Sequence, residues 1–85
     1  MEKRIAVMSI IVENPDSAQK LNEILHEKGE FIIGRMGIPY REKGISVISI
    51  VIDAPQDVIS ALSGKIGNLS GVNVKTAYSN VISHE

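Results

Sequence analysis

The chain has 85 residues, with nine Lys and Arg against ten Asp and Glu and a formal net charge of −1. So short a chain makes one domain and buries only about 60–65% of the surface it exposes when unfolded, so a partner subunit would add stability. Cysteine is absent, which excludes disulfides, thiolate catalysis and Cys-ligated zinc or iron–sulfur centres, and no cluster of Lys and Arg offers the footprint of a nucleic-acid or polyphosphate binder.

The first predicted element is a strand over residues 3–13, KRIAVMSIIVE, rich in β-branched side chains. Ile5, Val7, Ser9 and Ile11 share one face and Ala6, Met8, Ile10 and Val12 the other. Both faces are apolar, as in a central strand covered on two sides. Asn14-Pro15-Asp16 stops the strand, with Asn14 or Asp16 suited to an N-cap and Pro15 to an early helical position. A helix follows over 16–28, with Ala18, Leu21, Ile24 and Leu25 on one stripe and Gly29 as its expected stop. Residues 30–39, EFIIGRMGIP, read as a second strand that Gly34 and Gly37 interrupt, which points to a bulge or a close backbone approach. After the polar turn Arg41-Glu42-Lys43-Gly44, residues 45–53, ISVISIVID, form the third strand, with Ile48, Ile50 and Ile52 opposite Val47, Ser49 and Val51.

A second helix begins at Ala54-Pro55-Gln56-Asp57, carries the stripe Val58, Ile59, Leu62, Ile66 and Leu69, and closes at Ser70-Gly71. Residues 72–79 alternate strictly, a half-exposed last strand, and 81–85 are expected to be a tail beyond a single domain over 1–80. The order β-α-β-β-α-β, with crossovers of the usual hand, gives an α+β, ferredoxin-like fold: four antiparallel strands with two helices on one face. No apolar run approaches the ~20 residues of a membrane span. The start of the chain, Met1-Glu2-Lys3-Arg4, does not suggest a signal peptide, and a cytoplasmic protein is expected.

Two helices cover one face of such a sheet, yet Ile5, Val7 and Ile11 and, from the third strand, Val47 and Val51 fall on the other. Leaving such side chains wet forgoes about 1.5–3 kcal/mol apiece, and contiguous exposed apolar area marks an interface. The chain is therefore expected to pair with itself, as a homodimer or a dimer of dimers, through sheet faces or edges.

The segments LNEILHEKG, GRMGIPYREKGISVISI and GKIGNLSGV, within a similarity spanning residues 3–77, resemble the small ACT-like family of regulators of the iron-only hydrogenase system. The resemblance implies the fold of ACT domains and of the C-terminal domain of nickel-responsive repressors, association through sheets, a regulatory and non-enzymatic role, no cofactor, and a small-molecule effector or a protein partner. It carries over no catalytic residue. The junction Glu13-Asn14-Pro15-Asp16-Ser17 lacks the glycine that amino-acid-binding ACT domains tend to have there. The His/Cys cluster and the N-terminal DNA-binding arm of the nickel-responsive repressors are not seen in this sequence, which leaves both their metal response and direct DNA contact without support.

Among candidate chemical groups, His26 and His84 stand alone, outside any HxH, HxxxH or carboxylate–His cluster, so no metal site is expected. Glu23 and Glu27 read as a solvated helical pair, and Asp53 and Asp57 flank a helix start, where the dipole favours acids. Ser9, Ser46 and Ser49 have no base beside them and fit close packing in the sheet. The most informative segment is 34–41. There Arg35, Gly37, Tyr40 and Arg41 are candidates for a ligand or partner site, because glycine admits close approach and arginine binds carboxylate or phosphate by forked hydrogen bonds. A small enzyme on this fold would need a matched acid and base in a cleft, and a direct DNA binder an oligomeric groove; the residues favour neither.

Overall fold

The computed structural model describes residues 2–84, with side chains over 2–81. Its strands are β1 (Glu2–Val12), β2 (Ile32–Tyr40), β3 (Ile45–Ala54) and β4 (Val72–His84), and its helices are α1 (Ala18–Glu27) and α2 (Gln56–Gly67). The sheet order is β2-β3-β1-β4, and every neighbouring pair is antiparallel. The α+β, ferredoxin-like architecture expected from the element order is the one observed, with β1 and β3 central as their two apolar faces imply.

Strand parity builds the core. Ala6, Met8, Ile10 and Val12 of β1 lie beside Ile48, Ile50, Ile52 and Ala54 of β3, all buried. Leu21 and Leu25 from α1 and Ile59, Leu62 and Ile66 from α2 close over them, with Ile24, Val58 and Leu69 packed at the margin. Ala18, on the expected stripe, is exposed where α1 begins.

The loops explain where the observed elements depart from the expected ones. Asn14 accepts the Asp16 N–H through Oδ1 at 3.0 Å and caps a 3₁₀ turn, Pro15–Ser17, so α1 starts two residues after the expected position. Gly29 does not stop the helix in a left-handed conformation. It opens a second 3₁₀ turn, Gly29–Phe31, so the helix tightens before the chain becomes β2. Gly44 and Gly71 are the glycines with positive φ, each at 67°. Gly44 ends the 3₁₀ turn of the β2–β3 hairpin, and Gly71 turns the chain into β4 after α2 has ended at Gly67.

Beyond the alternating stretch 72–79, β4 continues to His84, where a tail was expected. Its register against β1 shifts between Tyr78, opposite Ala6, and Ile82, opposite Arg4. The irregularity breaks the alternation that marks a strand, and pairing resumes past it with Ser83 opposite Lys3.

Candidate functional site: the open face of the sheet

The face turned away from the helices is apolar, with a polar margin. Val7 and Ile11 of β1 and Val47 of β3 are exposed in its middle, and Ile5 and Val51 are half-buried beside them. The sequence pattern placed all five of these residues on one face, and the register agrees: Val7 lies opposite Val51, and Ile11 opposite Val47. Strand β2 extends the patch with Met36, Ile38 and Tyr40, paired with Ser49, Val47 and Ile45. Met36 is 62% exposed and Ile38 56%, more than Val7 at 38%. They were not predicted because the two glycines obscure the alternation of β2. On β4 the same face carries Asn73, Lys75 and Ala77, opposite Ile11, Ser9 and Val7.

The candidates of segment 34–41 divide between two surfaces. Arg35 lies opposite Ile50 on the helix side of β2, and its Nη2 donates to Asn22 Oδ1 of α1 at 2.6 Å. Gly37, opposite Ile48, is on that same side, where an added Cβ would sit 3.9 Å from Ile48 Cγ1. Tyr40 is on the open face, its hydroxyl donating to Glu42 Oε2 at 3.2 Å. Arg41 lies in the hairpin turn. The bulge expected near the glycines is present as a register shift between Ile32 and Gly34, and a Cβ on Gly34 would meet nothing within 4 Å.

The β1–α1 junction is closed by its own contacts. Glu13 N–H donates to Gly71 O at 2.7 Å, buried Ser17 donates through Oγ to Ser70 O at 2.6 Å, and Asn73 Nδ2 donates to Glu13 Oε1 at 3.0 Å. These bonds tie the junction to the α2–β4 loop and to the start of β4.

At the opposite end of the sheet lies a polar cluster that no local pattern announces. The Arg4 guanidinium lies 4.8 Å from the centroid of the Tyr78 ring and donates to Gln56 Oε1 and to Ser79 O, each at 3.3 Å. Gln56 Nε2 in turn donates to the Tyr78 hydroxyl at 2.9 Å. Arg4 Nε and Thr76 Oγ1 are buried without a hydrogen-bond partner among the described residues.

His26 is exposed near the end of α1, and the side chain of His84 lies outside the described residues. Among the described residues no group of three or more His, Cys, Asp or Glu could hold a metal ion, and no helix is long and apolar enough to cross a membrane.

Comparison with known proteins bears on this geometry. The chain is similar to the uncharacterized protein TM1266 from Thermotoga maritima: 40% identity over 89% of this chain and 96% of that one, with a TM-score of 0.86. A formyltetrahydrofolate deformylase from Pseudomonas putida KT2440 matches at 12% identity and a TM-score of 0.66, over 91% of this chain but 29% of its own. The apo form of CPII from Thiomonas intermedia K12, a nitrogen regulatory PII-like protein, matches at 13% identity and a TM-score of 0.59, over 99% of this chain and 98% of that one. At such identities the last two show a shared fold alone. No curated protein matches the sequence. The TM1266-like family, described as "Iron-only hydrogenase system regulator, putative", matches residues 4–76, and it is to this family that the chain belongs.

Proposed function

We propose that the chain is a non-enzymatic regulatory module of the iron-only hydrogenase system. In this reading it works in the cytoplasm as a homo-oligomer whose assembly is biased by a small effector or a protein partner. The observation that carries the proposal is the open face: Val7, Ile11 and Val47 stand exposed on a sheet whose other side holds the buried core. A small domain gains most from covering such a surface. Regulation follows if an effector or partner binds the assembled and separated states with different affinity, because only a difference in affinity shifts the equilibrium.

Within this reading Tyr40 belongs to the self-association face, while Arg35, Gly37 and Arg41 are where an anionic effector or a partner would dock. Arg35 carries its guanidinium on an edge strand, oriented by the bond to Asn22 Oδ1, and a guanidinium binds carboxylate or phosphate groups by forked hydrogen bonds. Sedimentation of the purified chain at 10–100 µM (roughly the range of weak to moderate association) should show a species larger than 9.2 kDa. A thermal-shift screen of carboxylate and phosphate metabolites should find compounds that stabilise the parent and lose their effect with Arg35→Ala. A chain that stays monomeric throughout refutes the self-association, and a screen without response refutes the effector site.

A further inference from the structure

We infer that Arg4, Ser60 and Tyr78, gathered around the side-chain amide of Gln56, form a binding site for the phosphate group of a small ligand. The site is independent of the effector reading given to Arg35. Strands β1 and β4 and helix α2 supply it, whereas Arg35 lies on β2, at the other edge of the sheet.

An arginine side chain has N–H donors and no acceptor. The atom of Gln56 that meets Arg4 Nη1 at 3.3 Å is therefore its oxygen, Oε1, which fixes the orientation of the amide. The amide nitrogen then stands between two hydroxyls, donating to Tyr78 Oη at 2.9 Å and to Ser60 Oγ at 3.2 Å. Both hydroxyls accept in these bonds, so each keeps its own hydrogen to give. Among the described residues neither hydroxyl gives that hydrogen to an acceptor. Gln56 and Ser60 are exposed on α2 and Tyr78 is 39% exposed, so both hydroxyls can be reached from solvent.

Arg4 itself is short of partners. Its bonds to Gln56 Oε1 and Ser79 O are each 3.3 Å, longer than a strong N–H···O bond, and its Nε is buried without an acceptor among the described residues. Its partners there, the Tyr78 ring included, are all uncharged. Drawing a guanidinium out of water without an opposite charge is costly, and a buried polar atom left unpaired marks a place where an ion or a water completes the bonding. An anion at Nη1, whose bond to Gln56 lies at the surface, would supply the missing charge. The acid in the first turn of α2, Asp57, does not compete for the site, because its Oδ1 takes the Val58 N–H at 3.0 Å. A guanidinium can engage both oxygens of a carboxylate, whereas a phosphate monoester presents a further oxygen, which the hydroxyls of Ser60 and Tyr78 can share. A lone guanidinium with hydroxyls suits a single phosphate group, in keeping with the absence of the Lys and Arg cluster that a polyphosphate requires.

Proton–nitrogen NMR titration of the full chain with inorganic phosphate, at an ionic strength held constant with sodium chloride, reads the site directly. The side-chain amide of Gln56 and the Nε–H of Arg4 should shift along one saturating curve, with a Kd on the order of a few millimolar. Tyr78→Phe and Ser60→Ala each remove one hydroxyl from an exposed position and should each weaken binding at least about fivefold. Their circular dichroism and phosphate-free thermal midpoints should stay with the parent, which separates lost binding from lost fold. Arg4→Lys, which keeps the charge and loses the fork, should weaken binding at least about tenfold. Arg35→Ala should leave the curve unchanged, so failure of this site and failure of the Arg35 effector site are told apart. Shifts that chloride alone reproduces, or that centre on Arg35 and vanish in Arg35→Ala, would overturn the inference. So would Tyr78→Phe and Ser60→Ala chains that bind phosphate as the parent does. Sodium acetate binding as tightly as phosphate would overturn the assignment to a phosphate group.

Discussion

Gly71 and Asn14 meet where two loops cross. The backbone at Gly71 has φ 67°, and a Cβ there would stand 2.6 Å from Asn14 Cβ and 3.0 Å from its backbone nitrogen. Both obstacles belong to a segment held by the bond from Glu13 N–H to Gly71 O, so neither can move aside cheaply. Gly71→Ala should therefore destabilise the fold by about 3 kcal/mol in urea titration, from backbone strain and overlap together. Gly29→Ala, with open space and no positive φ, should be neutral or slightly stabilising. The glycine was visible in the sequence as a helix stop, but its need for close approach was not, because Asn14 lies 57 positions away. Arg4 makes the same point. In the sequence it is a charge at the start of a strand; in the fold it ties Tyr78, Gln56 and Ser79 together. Arg4→Met, which keeps the apolar stem, should lower stability by about 1–2 kcal/mol through lost hydrogen bonds and cation–π attraction.

For the elements, parity decides which side chain does what. Ile10 and Ile11 are neighbours on β1, yet Ile10 is fully buried and Ile11 is 40% exposed. In dilute solution, where chains are apart, Ile10→Ala should destabilise by about 2–5 kcal/mol, and Ile11→Ala by less than about 1 kcal/mol. Denaturation of the two variants below 1 µM (about the concentration at which weak contacts dissociate) checks the contrast. The alternation behind this prediction was legible in β1 and β3, whose runs are unbroken. It failed in β2, where glycines replace two of the side chains that would have shown it, and beyond Tyr78, where the shift of register changes the period. Helix boundaries moved by a residue or two for a similar reason: Asn14-Pro15 and Gly29 form 3₁₀ turns whose hydrogen bonds are local but not α-helical.

Across the whole molecule, one layer of helices and one sheet leave a side uncovered. If a second copy covers it, binding raises stability by mass action, and the thermal midpoint should climb with protein concentration by several degrees between about 5 and 500 µM. Val47→Glu should abolish that dependence while leaving the dilute midpoint nearly unchanged. Scanning calorimetry at the two concentrations measures both.

The amino-acid sequence by itself determined the element order, the inward and outward residues of β1 and β3, and the presence of an apolar face that two helices cannot cover. These are readable because side-chain direction repeats every two residues in a strand and about every 3.6 in a helix, a property of neighbours along the chain. Only the tertiary structure decided which side of β2 meets the helices, so that Arg35 reaches Asn22, that Met36 and Ile38 complete the apolar patch, and that Arg4 reaches Ser79. Those facts depend on register and on which strands become neighbours, set by contacts between residues tens of positions apart that no local period records.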